Sequence, residues 1–262
     1  MWRKYTVPSP NYIWHLDGTH KLVRWKLVFH VGIDGFSRLI VYCRCSANNK
    51  SLTVLNLFKE AEEQYGLSLR MRTDFGMENL RVWEYMLQKR RNSNVLITGS
   101  SVHNQRIERL NRQVNTQVVN GFYNEFVQLE EDHMLDPMND TDLFCLHYVY
   151  LPVINRRLTE FAAAHKNHAL STAHNYSPMQ LYHLNYRLLQ LQNLDSSASI
   201  NIRDIVQQSR CTVNVEPIAS PLSEEAQTRL DAILTQNSGL AASVMYERVI
   251  QFVADFMQRN TP

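Results

Sequence analysis

The chain has 262 residues, 44% of them hydrophobic and 20% charged, which is typical of a folded globular protein and not of a disordered or fibrous one. No apolar run approaches the roughly 20 residues of a membrane-spanning helix, and the first residues do not form a signal peptide. The four cysteines form no C-x-x-C pair. We therefore expect a reduced, intracellular protein without a disulfide framework.

The net charge of +2 conceals a difference between the two parts of the chain. Residues 1–112 carry 18 Lys/Arg and 9 Asp/Glu, whereas residues 113–262 carry 9 and 16. A basic surface favours the approach of a polyanion such as nucleic acid. The alternative is an uneven distribution of solvated charge with no binding role.

The first part of the chain is predicted to form a three-stranded antiparallel meander. Residues 14–19 form a short predicted strand, and Lys26 to Ile33 and Arg38 to Cys45 are rich in β-branched and aromatic residues. The sequence Asp34-Gly35-Phe36-Ser37 between the last two strands is a strong hairpin turn signal.

Helices and strands alternate in the next part of the chain. The predicted elements are a helix over 51–65 that ends at Gly66, a strand over 67–72, a helix over 80–91, a strand over 94–98 and a long helix over about 103–129. The order β-β-β-α-β-α-β-α predicts an α/β fold with a mixed five-stranded sheet flanked by helices. The later connections are long enough for parallel crossovers.

The C-terminal part is predicted to be helical. Helical patterns cover residues 141–164, a short segment opened by Ser177-Pro178, and residues 223–234 and 240–257. We predict four segments: an N-terminal extension 1–11, a core 12–185, a linker 186–221 and a C-terminal helical tail 222–262.

Three acidic residues are predicted to lie on rigid elements. Asp17 lies in the first predicted strand, Asp74 comes at the end of the fourth, and Glu108 lies in the long predicted helix. If they converge, their oxygens suit Mg²⁺, and phosphodiester chemistry uses two such ions about 4 Å apart. Without metal they would repel one another and raise at least one pKa. The alternatives are turn residues for the two aspartates and a solvated helix face for Glu108.

The helix around Glu108 is predicted to have two different sides. One side is polar and suits contact with a nucleic-acid backbone; it carries Asn104, Glu108, Asn111, Arg112 and Asn115. The other is apolar and is predicted to face the core; it carries Ile107, Leu110, Val114 and Val118. Arg109, Arg112 and the run Lys89–Arg91 are candidate phosphate contacts.

Four motifs resemble the integrase core domain of retroviral and retrotransposon integrases and related DDE transposases, which has a ribonuclease-H-like fold. They are Trp14-His15-x-Asp17, Ile33-Asp34-Gly35-Phe36-Ser37-Arg38, Thr73-Asp74-x-Gly76-x-Glu78-Asn79 and His103-Asn104-x-x-x-Glu108-Arg109-x-Asn111-Arg112. The resemblance spans about residues 12–185. The pattern is also similar to that of transposon-derived integrase-core proteins in animal and fungal genomes.

The resemblance implies a site and its partners. Asp17, Asp74 and Glu108 would be the catalytic residues and would hold two Mg²⁺ or Mn²⁺ ions. Asp34, the nearest rival to Asp17, is not a metal ligand in this family. Residues 99–102 resemble the mobile loop beside the reacting strand. We expect DNA as substrate, a homo-oligomer by analogy, and a nuclear location, with no membrane or small-molecule partner.

Two hypotheses from different classes follow. The first is an integrase-type polynucleotidyl transferase that nicks and joins DNA. The alternative is a domesticated, catalytically silent nucleic-acid-binding or scaffold protein of transposon origin. It is favoured by Phe75, where relatives usually carry a small or polar residue, and by the acidic C-terminal half. It is also favoured because only eleven residues precede the predicted core, where relatives carry an N-terminal helical region. A ribonuclease H ranks lower because the motif that contains Glu108 is integrase-like.

Overall fold

The structure, a computed structural model, describes residues 7–91, 93–98, 105–186, 213–237 and 239–260. Five strands form one mixed sheet in the order β3-β2-β1-β4-β5. They are β1 (Ile13–Thr19), β2 (Val28–Asp34), β3 (Ile40–Ser46), β4 (Arg70–Thr73) and β5 (Leu96–Thr98). The predicted mixed five-stranded sheet is confirmed.

The central strand β1 has neighbours of opposite direction. It pairs antiparallel with β2 and parallel with β4, where His15 lies opposite Arg72. The antiparallel half is the predicted meander, which short turns can connect. The parallel half requires a crossover helix between strands. The two parallel strands end at the same edge of the sheet.

Helices cover both faces of the sheet. They are α1 (Ser51–Tyr65), α2 (Leu80–Arg90), α3 (Gln105–Val114), α4 (Asn120–Glu131), α5 (Asp140–Asn167), α6 (Pro178–Asn185), α7 (Glu224–Gln236) and α8 (Ala242–Asn260). A π-helical stretch, Asn115–Val119, joins α3 to α4. The sequence pattern predicts one uninterrupted helix here, because a single wide turn leaves the apolar periodicity on either side intact.

Side-chain alternation along β1 divides the core into two. Trp14 and Leu16 pack with residues of α1 and α2 on one face of the sheet. His15 and Asp17 therefore belong to the opposite face. There α3 packs against β1 and β2, and the large apolar core also includes residues of α4 and α5. The sequence of β1 thus directs Asp17 towards α3.

The C-terminal helices pack into the same core. Leu230 of α7 and Tyr246 and Val249 of α8 are fully buried in the cluster that contains residues of α5. Of the predicted linker, residues 187–212 lie outside the described residues. The amide of Val215 donates to Asn49 Oδ1 at 3.0 Å, so the end of that segment contacts the connection from β3 to α1. The segment boundaries stay a prediction.

Three cysteines contribute to packing. Cys43, Cys45 and Cys145 are free and buried, and burial raises the pKa of the Cys43 thiol to about 12. Cys211 lies outside the described residues. None of the described helices is both long and apolar enough to span a membrane.

Candidate active site

Two of the three predicted carboxylates come from neighbouring parallel strands. His15 of β1 lies opposite Arg72 of β4, so the same register carried two residues further brings Asp17 beside Asp74. Asp17 lies near the carboxyl end of β1, and Asp74 comes directly after β4. Ligand sites of α/β sheets gather at the carboxyl ends of strands. The charge of Asp74 raises the pKa of the Asp17 carboxyl, so the two groups are near each other. The structure therefore brings these two aspartates close to each other.

Both oxygens of the Asp17 carboxyl accept hydrogen bonds. The amide of Gly18 donates to Oδ1 at 2.9 Å, and Asn111 Nδ2 of α3 donates to Oδ2 at 2.7 Å. Burial, together with the charges of Asp74 and Glu78, raises the pKa of Asp17 to about 7, although the two hydrogen-bond donors oppose this rise. The hydrogen bond from Asn111 of α3 thus holds the Asp17 carboxyl in place, while burial and the acidic neighbours destabilise its charged form.

Asp74 lies on an exposed turn that its own side chain organises. Its Oδ1 accepts from the amide of Gly76 at 3.2 Å and from Asn79 Nδ2 at 3.3 Å. Burial lowers the pKa of the nearby His20, and the charge of Asp74 opposes this effect. Neither His20 nor Glu78 is a predicted site residue. For Glu78, the spacing Asp74-x-Gly76-x-Glu78 is the sequence signal that could have indicated a place in the site.

Glu108 is exposed on α3, three residues before Asn111. Its helix passes beside Asp17, because Asn111 reaches that carboxyl. Within the described ranges, however, no three His, Cys, Asp or Glu side chains are arranged to hold a metal ion. The structure therefore brings Asp17 and Asp74 together and leaves Glu108 on the neighbouring helix. Residues 99–104, which include Asn104, lie outside the described residues.

The donor chemistry nonetheless fits a hard divalent cation. Around the two aspartates, Glu78 Oε2 and Asn111 Oδ1 are buried oxygens without a hydrogen-bond partner among the described residues. Mg²⁺ prefers such oxygen ligands, and buried oxygens without partners are costly unless a ligand satisfies them. The residues present therefore suit Mg²⁺ or Mn²⁺, although their side chains must turn to enclose it.

The predicted polar side of α3 divides into two environments. Arg109 and Arg112 are exposed, as contacts to a nucleic-acid backbone require. Asn111 is only 9% exposed and serves Asp17, and Asn115, in the π-helical stretch, has a buried Oδ1 with no partner among the described residues. Helical spacing alone did not distinguish these two asparagines from the exposed residues.

The structure brings together a group of cationic side chains that the sequence pattern missed. Burial lowers the pKa of Arg38, and the charges of Arg106 and Arg109 lower it further, so these three guanidinium groups lie close together. Arg38 follows the β2–β3 hairpin, whereas the other two belong to α3. Their proximity depends on the packing of α3 on the sheet.

The run Lys89–Arg91 makes contacts within the chain that the sequence pattern does not predict. Arg90 Nη2 donates to the carbonyl of Leu67 at 2.5 Å and to that of Ser68 at 3.0 Å. Lys89 Nζ lies over the ring of Tyr85, at 5.4 Å from its centroid. Arg90 therefore holds the connection between α1 and β4, whereas Lys89 and Arg91 are exposed, and a phosphate contact by this run stays a prediction.

Asp34, the rival of Asp17, is a structural residue. It is fully buried, and its carboxyl accepts from the amide of Asn11 at 2.8 Å, from the amide of Ser37 at 2.7 Å and from Ser37 Oγ at 2.6 Å. Burial raises its pKa to about 6 against these donors. Its acceptor capacity is used within the hairpin, as the resemblance implies.

In the absence of metal, Asp17 should make the protein less stable as the pH rises from about 4 to about 7. Its pKa is raised from 3.8 to about 7 in the folded state, so the folded state binds the proton more tightly than the unfolded state. The resulting stabilisation is complete below the lower value and lost above the higher one. Between pH 5 and pH 8 this titration should lower the free energy of unfolding of the parent by about 2 kcal/mol. Asp17→Asn should remove this dependence on pH.

Urea unfolding in EDTA at the two pH values measures this effect. Asp34 is present in both proteins, so its own titration cancels in the comparison. An identical pH response in the parent and in Asp17→Asn would contradict the raised pKa.

The sheet order, with helices on both faces and two aspartates at adjacent parallel strand ends, defines a ribonuclease-H-like α/β fold. A sequence profile of the integrase core domain matches residues 4–198. The chain belongs to the integrase core domain family. No curated protein matches the chain.

Several solved structures are similar to the chain. The HTLV-2 integrase catalytic core domain in complex with magnesium matches in its trimeric form with 20% identity and a TM-score of 0.45, covering 67% of this chain and 98% of that one. Its dimeric form gives 18%, 0.43 and the same coverage. The simian T-cell lymphotropic virus intasome in complex with PP2A regulatory subunit B56 gamma gives 15% and 0.47, covering 75% of this chain and 61% of that one.

Proposed function

We propose that this protein is a metal-dependent polynucleotidyl transferase of the integrase type, which nicks DNA phosphodiesters and transfers strands. The observation that carries the proposal is the pair Asp17 and Asp74 at the ends of adjacent parallel strands, with Asn111 of α3 holding Asp17 at 2.7 Å. Membership of the integrase core domain family supports the same class of reaction.

Asp17, Asp74 and Glu108 would hold two Mg²⁺ or Mn²⁺ ions. Ions bound there would activate the attacking oxygen and stabilise the leaving oxygen of the phosphodiester. Asn111 orients Asp17 through a hydrogen bond to one oxygen, and Gly76 and Asn79 orient Asp74. Because the pKa of Asp17 is about 7, cation binding near neutral pH requires release of its proton.

The chain's own residues would act mainly by positioning. Water or a DNA 3′-hydroxyl would attack the phosphorus in line, and the protein forms no covalent bond to DNA. Rigid strand ends keep two carboxylates in place before the substrate arrives, which lowers the entropic cost of reaching the reactive geometry. Glu108 would join the site from α3, on whose exposed side it lies.

DNA is the proposed partner. Arg109 and Arg112 are exposed on α3, and Arg38 lies beside Arg109; cations in this arrangement suit contacts to phosphate. We also propose Asn104 as part of the nucleic-acid-binding face, whereas the buried side-chain oxygens of Asn111 and Asn115 do not favour such a role for these two residues. The similar HTLV-2 cores are dimeric and trimeric, and the similar simian virus assembly is an intasome. A homo-oligomer and a nuclear location are likewise proposed for this chain.

Glu108→Gln should abolish nicking of a supercoiled plasmid in Mg²⁺ or Mn²⁺, with a loss of at least about 100-fold, because the third carboxylate would be missing from the loaded site. Glu131→Gln, at another exposed helical glutamate, is the matched control and should retain parent activity. Nicking by Glu108→Gln at the parent rate would refute the assignment of Glu108.

One observation favours a second candidate, a nucleic-acid-binding or scaffold protein without turnover. Among the described residues no three acidic, histidine or cysteine side chains are arranged as a metal site. Calorimetry with Mn²⁺ and salt-dependent DNA binding separate the two candidates. DNA binding by a parent protein that binds no Mn²⁺ and does not nick would support the scaffold and overturn the enzyme.

A further inference from the structure

Glu78 is a buried acid, and one of its carboxylate oxygens accepts no hydrogen bond from the described residues. It is only 8% exposed, and its Oε2 has no partner among the described residues. A buried carboxylate is normally paired, hydrogen-bonded or bound to a metal, since burial of an isolated charge is very unfavourable. The side chain is therefore placed where an additional ligand would stabilise it.

The turn after Asp74 is built around this carboxyl group. A Cβ added to Gly76 would lie 2.2 Å from Glu78 Oε1 and 2.5 Å from Oε2. Gly76 has φ −69° and ψ 133°, a conformation that any residue adopts. The glycine is therefore required for the space that the Glu78 carboxyl fills and not for its backbone conformation.

Glu78 belongs electrostatically to the group formed by the two aspartates. Burial raises the pKa of Glu78, and the charge of Asp74 raises it further. The charge of Glu78 in turn raises the pKa of Asp17. A second buried oxygen in this group, Asn111 Oδ1, also has no partner among the described residues. Both oxygens belong to side chains that interact with the two aspartates, Asn111 through a hydrogen bond to Asp17 and Glu78 through its charge.

We infer that Glu78 is a further metal-ligating residue, which joins Asp17 and Asp74 in holding a divalent cation before DNA binds. Because these three carboxylates are not arranged as a metal site in the structure, cation binding would require their side chains to rotate towards one another. The inference rests on the proposed function and adds a fourth carboxylate to its site. Glu78 is buried against the two aspartates, whereas Glu108 is exposed. Glu108 would then complete the site only when DNA occupies it.

The inference predicts different effects of the two glutamates on metal affinity. Glu78→Gln should weaken Mn²⁺ binding to the DNA-free protein by about tenfold or more, because a charged oxygen ligand is lost. Gly76→Ala should have a similar effect, since the new methyl group displaces the Glu78 carboxyl without straining the backbone. Glu108→Gln should alter the affinity by less than about threefold. The control is Glu84→Gln, at an exposed glutamate of α2.

Isothermal calorimetry with MnCl₂ gives the affinities, and urea unfolding in EDTA verifies that each variant folds. If the parent binds Mn²⁺ and nicks DNA while Glu78→Gln and Gly76→Ala both bind Mn²⁺ as tightly as Glu84→Gln, the role of Glu78 is overturned and the proposed function stands. If the parent neither binds Mn²⁺ nor nicks DNA, the proposed function fails, and the role of Glu78 with it.

Discussion

Asp17→Asn should reduce metal-dependent nicking by at least about 10³-fold while the protein remains folded. Asparagine has the shape of aspartate but no charge, so the variant loses attraction for the cations. Asp17 is also the member of the pair that Asn111 holds at 2.7 Å. Its replacement therefore removes the best-positioned ligand of the proposed site and leaves the strands around it unchanged.

Plasmid nicking in Mg²⁺ and in Mn²⁺ measures the loss, with Mn²⁺ calorimetry on the same preparation. Asp132→Asn is the control, because Asp132 is an exposed aspartate on the turn after α4. Circular dichroism should show the same helix content in the parent and both variants. Nicking by Asp17→Asn at more than a tenth of the parent rate would show that this carboxylate is not required.

Asp34→Ala should cost about 3 kcal/mol of stability and leave the metal site itself unchanged. The carboxyl of Asp34 accepts from the amides of Asn11 and Ser37 and from Ser37 Oγ. Alanine would leave these donors in a fully buried position without their acceptor. The effect is large because losing a hydrogen bond to a charged acceptor also leaves its buried donors unsatisfied.

The measurement is the urea midpoint at an unchanged slope, which isolates a change in stability. Mn²⁺ affinity, determined where the variant is fully folded, should equal that of the parent. This pair of results separates the two aspartates, since Asp17→Asn should lose metal binding without unfolding. A loss of Mn²⁺ binding by folded Asp34→Ala would instead assign Asp34 to the metal site.

Local sequence patterns were sufficient for most of the secondary structure. The β2–β3 hairpin follows from a turn sequence between two β-branched runs, and the helices follow from apolar periodicity over many residues. These signals lie within short stretches of chain. The π-helical stretch Asn115–Val119 was not predicted, because one wide turn leaves little trace in that periodicity.

The sequence by itself determined the order of the elements and the three acidic candidates, because hydrophobic spacing and turn residues act locally. Only the tertiary structure decided which polar groups meet. The parallel register of β1 and β4 brings Asp17 to Asp74, and the packing of α3 brings Asn111 to Asp17. It also buried Glu78 in the turn and left Glu108 exposed, since burial depends on contacts between residues far apart in the chain.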